Sequence, residues 1–227
     1  MDISDKYVYL LALIPFCLIW LFLYAKRKDL RKEMIFASIF VGILSVLTSY
    51  FWWTRDWWRP LTITGTVVGV EDFIMGFTSG GIMSVIYNFL LSKTYSKPKV
   101  KINFLSVIFL LILMACLTFY LFLIVGFTSF WSCVVTSVFT IISIDYFRRD
   151  LIIDSLISGV SMLIISTSFY LTVLSLSSTW VDATYLQGLS GLRLWTIPIE
   201  EFVFWFLAGM WVGPFYEYSF GKKLKNL

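Results

Sequence analysis

Two pairs of adjacent acids each open a stretch that is otherwise almost purely apolar. Glu200 and Glu201 lead "IPIEEFVFWFLAGMWVG" (Ile197–Gly213), and Glu71 and Asp72 lead "VGVEDFIMGFTSGGIMS" (Val68–Ser84). One carboxylate at a helix N-terminus is ordinary: it complements the helix dipole and bonds the free N–H groups there. A second acid lies about 100° further round the helix, from the 3.6-residue turn, and must point into protein or a polar cavity. Ionisable groups at membrane depth are costly and are functional by default. A carboxyl in an apolar pocket is kept protonated near neutral pH and can then serve as a general acid. Aromatic faces beside it stabilise a cation through the ring quadrupole. That combination suits protonation of a carbon–carbon double bond, followed by carbocation chemistry.

The rest of the inventory narrows the field. The chain contains no histidine, so acid–base chemistry falls to carboxylates, tyrosines or lysines. Cys17, Cys116 and Cys133 lie inside apolar blocks with no metal or disulfide spacing and read as small buried hydrophobes. No Gly-rich phosphate loop follows a strand pattern, and no spaced Asp cluster offers to hold magnesium–diphosphate. No metal site is expected.

The elements that must position the acids are membrane helices. Of 227 residues, 59% are hydrophobic and only 14% charged, against about 45–50% and about 25% in soluble domains. The apolar residues come in blocks long enough to cross a bilayer core as helices. Seven spans are expected, at 7–24, 34–51, 72–92, 102–125, 129–147, 151–176 and 199–218. The first reads as a retained span rather than a signal peptide. The loops after spans 1, 3 and 5, with the tail, carry fourteen of the eighteen Lys and Arg. The positive-inside rule then predicts an N-terminus outside and a C-terminus in the cytoplasm. The +4 charge reports orientation, helped by anionic membrane lipid, and calls for no nucleic-acid partner. The outer loop "FWWTRDWWRPLTITG" (Phe51–Gly65) reads as an interfacial tryptophan belt or, alternatively, as a lid over an outer-facing cavity.

The two acidic stretches align without a gap at an offset of 129: Glu71 on Glu200, Asp72 on Glu201, Phe73 on Phe202, Gly80 on Gly209. Upstream, "RKDL" (Arg27–Leu30) matches "RRDL" (Arg148–Leu151) at an offset of 121. An all-α membrane protein follows, with two parallel three-helix repeats, 1–101 and 129–227, joined by a linker helix in 102–128. Both acid pairs then sit on one side of the membrane. Small residues four apart put Asp72 with Gly76 and Gly80, and Glu201 with Gly209 and Gly213, on helix-packing faces. Glu200 shares the other face with Phe204, Leu207 and Trp211, an aromatic surface that either meets lipid or lines an apolar pocket. Glu217 is expected to be a solvated helix end, and Asp145 and Asp154, which flank the Arg148–Arg149 turn, to balance charge there. Arg193 is a candidate partner for an outer carboxylate. The seventh span has no lysine for a retinal Schiff base.

At these motifs the chain resembles the integral-membrane lycopene beta-cyclases, whose halves each carry a Pro-x-Glu-(Glu/Asp) motif. "PIEEF" (Pro198–Phe202) fits it in full, and "GVEDF" (Gly69–Phe73) fits except that Gly69 stands in place of proline. The resemblance implies carotenoid biosynthesis: non-redox cyclisation of the acyclic ends of lycopene to beta-rings, an intramolecular lyase (isomerase) reaction without flavin or other cofactor. It implies Glu71, Asp72, Glu200 and Glu201 as catalytic candidates, Glu200 foremost because its motif is complete. Phe73, Phe202, Phe204 and Trp211 are the candidate aromatics around the polyene. The alternatives are another carotenoid-modifying membrane enzyme, such as a hydratase, and a carotenoid-binding membrane subunit. Self-association is compatible with either.

Overall fold

The computed structural model describes residues 5–96, 104–186 and 189–227. The polar start at 1–4, the lysines at 97, 99 and 101 and the unit boundary at 101–102 fall outside these residues. The described chain is predominantly helical. In order come α1 (Asp5–Ala12), α2 (Ile14–Lys26), α3 (Arg31–Thr48), the short α4 (Thr54–Asp56), α5 (Val70–Leu90), α6 (Phe104–Tyr120), α7 (Ser129–Phe147), α8 (Ile152–Leu176), α9 (Trp180–Thr184), α10 (Ile199–Val212) and α11 (Phe215–Phe220). Four short strands, β1 (Lys93–Tyr95), β2 (Arg193–Leu194), β3 (Ile197–Pro198) and β4 (Leu224–Asn226), form two antiparallel pairs, β1 with β4 and β2 with β3. Among the described residues six helices are long and apolar enough to cross a membrane. The stretch expected as a seventh span is divided into α10 and α11 at Gly213–Pro214.

Local sequence explains the breaks. Pro15 lacks an N–H and crowds the preceding turn, so α1 and α2 meet end to end at Leu13. A π-helical turn, Ser49–Trp53, extends α3 and swings the tryptophan-rich segment across the bundle. That segment is then pinned: Asp56 accepts the Ser129 N–H at 2.9 Å and the Ser129 hydroxyl, capping α7.

The bundle rests on two close helix pairs, α3 with α5 and α8 with α10. In each, glycine lets backbones approach as the small-residue spacing predicts. A Cβ on Gly80 would stand 2.8 Å from the Ala37 carbonyl oxygen; one on Gly209 would stand 2.6 Å from the Ser158 carbonyl oxygen. Neither backbone can yield cheaply. Gly209→Ala is expected to cost about 1–3 kcal/mol by overpacking, read as a lower melting temperature in detergent and a lower yield of folded protein. An unchanged melting temperature would show that α8 and α10 separate freely.

At the end of the bundle opposite the tryptophans, contacts recur at the offsets read from the sequence. Arg27 pairs with Asp29 and donates to the carbonyls of Asn88 and Lys93. Arg148 pairs with Asp150 and donates to the carbonyls of Glu217 and Lys222. Asn88 and Glu217, themselves 129 apart, meet: Asn88 Nδ2 donates to Glu217 Oε1 at 3.0 Å. The expectation that Glu217 is a solvated helix end fails, and Arg148 takes Asp150, not Asp154, as its ion-pair partner. Glu217 is fully buried and also accepts the Tyr95 hydroxyl at 3.2 Å, while buried Asp154 accepts from Ser158 at 3.0 Å. The turn at Gly213–Pro214 carries α11 and its acid into the bundle. Asp145 accepts from Ser155.

Candidate functional site

Asp72 and Glu201 each occupy the third position of a helix, α5 and α10, and both are buried. They line the same small cavity, about 60 Å³, with Tyr9, Tyr170 and a wall of Trp53, Trp57, Trp58 and Trp205. Ser45, Trp53, Met75, Phe204 and Trp205 also border a larger cavity of about 310 Å³, so the two are contiguous. No charged residue lines the larger one. Its hydroxyls are largely turned back onto their own helices: Ser79 donates to the Met75 carbonyl at 2.6 Å, Thr118 to Met114 at 2.9 Å and Thr48 to Ser45 at 3.1 Å. A long apolar space therefore ends at two acids boxed by aromatic rings.

The two acids are held differently. Asp72 accepts the Gly69 N–H at 2.8 Å, the Ser49 hydroxyl at 2.9 Å and the Tyr9 hydroxyl at 3.4 Å. Three donors converge on it, one of them the backbone at the helix cap, which is the pattern of an acceptor-only carboxylate. Pro198 at the matching cap has no N–H, so Glu201 receives no such bond. Glu201 accepts from the Tyr170 hydroxyl, which lies 3.2 Å from the Tyr185 hydroxyl and accepts from Trp205 Nε1 at 3.4 Å. The departure of Gly69 from the motif proline thus sets the difference between the acids. A Cβ there would also run into Thr62 Cγ2 at 2.7 Å, so proline does not fit this cap as the loop is folded.

Glu71 and Glu200 turn outward into the loops before their helices. Glu71 Oε1 accepts the Ile63 N–H and Glu200 Oε1 the Ser190 N–H, both at 2.6 Å. Glu200 borders an outer hollow with Asp182, Tyr185 and Arg193. The face assignment from helical spacing holds for Glu201, which meets α8 through Tyr170, but the aromatic cavity lies on that side too, and Glu200 does not reach it. Helical side chains lean towards the N-terminus, so in a first turn they reach the preceding loop, where lateral phase no longer decides their partners. Arg193 pairs with Asp182 rather than with Glu200. Among the candidate aromatics, Phe204 borders both cavities and Trp211 the larger. Phe73 packs on Gly42 and Phe77, and Phe202 sits 6.5 Å from the Tyr170 ring, both off the cavity lining.

The tryptophan loop is a lid. Trp52, Trp57 and Trp58 are buried, and Trp53, Trp57 and Trp58 wall the acids, with Leu186 N–H bonded to the Trp57 carbonyl at 2.9 Å closing loop onto loop. Tyr9, Ser49, Tyr170 and Tyr185 are site residues that sequence reading missed. The offset of 121 does place Ser49 on Tyr170, each a hydroxyl donor to the acid of its own repeat, but the types differ and no identity marks them.

Neither the curated proteins nor the solved structures gave a match to this chain. The chain does match the lycopene cyclase family model over residues 128–219, the stretch that holds Tyr170, Glu200 and Glu201.

Proposed function

We propose that the protein is a lycopene beta-cyclase of the membrane, working at a single centre built from both halves of the chain. The observation that carries the reading is that Asp72 and Glu201, one from each motif, share one aromatic box at the end of an apolar cavity. In this reading the chain crosses the bilayer seven times as two parallel three-helix units, 1–101 and 129–227, joined by a linker helix within 102–128. The acids lie towards the outer face, with the N-terminus outside and the C-terminus in the cytoplasm. The recurrence of the Arg27 and Arg148 networks at the sequence offsets supports the repeat. The family match lies in the second unit; the first joins it through the repeat.

Glu201, which lacks the backbone donor that holds Asp72, gives its proton to the terminal double bond of the polyene. The resulting cation is attacked by the neighbouring internal double bond, closing the ring and moving the charge to a ring carbon. Asp72 removes a ring proton, and the electrons left behind form the ring double bond. One proton enters and one leaves, so the step is an isomerisation. The tryptophan walls stabilise the cation in transit and exclude water that would trap it. Glu71 and Glu200 anchor the two outer loops that close the box.

Expression in lycopene-accumulating cells with pigment chromatography tests the reading. Monocyclic and bicyclic beta-ring products are expected. Hydrated acyclic products would instead identify a hydratase, and unchanged lycopene with well-folded protein would reject an enzymatic role.

A further inference from the structure

The two offsets relate not only the acids but the walls around them. The larger cavity is lined by Ser137 on α7, Thr48 on α3 and Gly76 on α5. Their counterparts in the other half, at offsets of 121, 121 and 129, are Phe16 on α2, Phe169 on α8 and Trp205 on α10. Phe16 touches both of the other two. Phe16 and Trp205 meet edge to face with centroids 5.5 Å apart, and Phe16 and Phe169 lie 6.1 Å apart. All three are buried, Phe16 and Phe169 completely.

A two-unit bundle with its acids at the junction offers two equivalent approaches to them. On one side the three positions are serine, threonine and glycine, and a cavity is present. On the other they are two phenylalanines and a tryptophan, and the space is filled. Gly76 presents only backbone to the cavity, and it must stay glycine because a Cβ there would meet the Val41 carbonyl oxygen of α3 at 2.6 Å.

Building on the cyclase reading, we infer that the polyene reaches the acids by one path only, between α3, α5, α6, α7 and α10, and that the matching path is closed by a plug of Phe16 and Phe169 packed behind Trp205, which walls the open path. The chain thus has one tunnel and one reaction box, not two. Any second end of the substrate must enter by the same tunnel after the first has left. The asymmetry also fixes which acid meets which face of the chain end, since the polyene always arrives from the same side.

Exchanging residues across the repeat tests this in lycopene-accumulating cells, with folding checked by melting temperature in detergent. Ser137→Phe installs the plug's own residue in the open path and is expected to lower ring formation by at least about tenfold, because a filled cavity excludes its ligand. Phe16→Ser removes a plug residue and should lower the melting temperature yet keep ring formation within about twofold among the molecules that fold, since Phe16 itself lines neither cavity. If Ser137→Phe does not fold, Ala115→Phe blocks the same cavity from the lightly packed α6 and carries the same expectation. Full ring formation with the open path blocked, or its loss in folded Phe16→Ser, would overturn the single-path inference. Absence of rings from the unaltered protein would instead reject the cyclase reading itself.

Discussion

Glu201→Gln is expected to yield a folded protein that forms rings at least about a hundredfold more slowly than the unaltered chain, the usual scale for loss of a general acid. Glutamine fills the same volume and its carbonyl still accepts from the Tyr170 hydroxyl. The packing around Trp205 therefore has no reason to change, and the melting temperature should stay close to the original. What disappears is the transferable proton. Glu200→Gln provides the contrast. Its carboxyl is spent on the Ser190 N–H outside the aromatic box, and glutamine can accept that same bond. Ring formation should fall no more than a few-fold, because the bond to Ser190 is kept and the side chain, though buried, lines neither cavity of the proposed path. Two adjacent glutamates thus separate by a factor that pigment chromatography reads directly. Equal losses in both variants would mean that Glu200 reaches the substrate in a way its bond to Ser190 does not suggest. A fully active Glu201→Gln would remove the proposed acid.

What the sequence revealed, and what it concealed, follows from how local each signal is. Span positions come from runs of apolar residues, and the six helices long enough to cross a membrane fall where those runs lie. The acid pairs and their duplication were legible because the motif residues are alike in type and two of them, the first acid and the phenylalanine, are identical. The partners of the acids were not. Ser49 and Tyr170 hold equivalent places but share only a hydroxyl, so a repeat found by identity passes over them. The burial of Trp57 and Trp58 was hidden for a different reason: tryptophan suits a membrane interface and a packed interior equally well. A charge near a helix end likewise reads as solvated until the chain folds it inward, as Gly213–Pro214 does with Glu217. The split between Glu200 and Glu201 depended on loop backbone, Ser190 above all, which no helical phase contains. The glycine in place of the motif proline was visible from the start. Its consequence, a backbone N–H that holds Asp72 and has no counterpart at Glu201, needed the geometry.

Asp72→Asn should affect the reaction at its other end. The substitution keeps an acceptor for Ser49 and Tyr9, which share one oxygen, but sets the amide NH2 against the Gly69 N–H that the other oxygen accepted, so one donor faces another. A loss of stability of about 1–3 kcal/mol is expected from the unsatisfied group. The larger effect is chemical. Protonation by Glu201 can still occur, but the cyclic cation then lacks both its counter-charge and its base. Removal of one preorganised electrostatic partner commonly costs a factor of about 10²–10³ in rate. The cation that does form must revert, lose a proton from another ring position or capture water. Asp72→Asn is therefore expected to give little beta-ring product, and what it forms should include ring isomers with a displaced double bond or hydroxylated rings, separable by chromatography and mass. Glu201→Gln, which blocks the step before the cation exists, should give unreacted lycopene and no such by-products. The order of the two steps predicts that the double variant resembles Glu201→Gln. Displaced or hydroxylated rings from the double variant would show that the proton comes from a group other than Glu201.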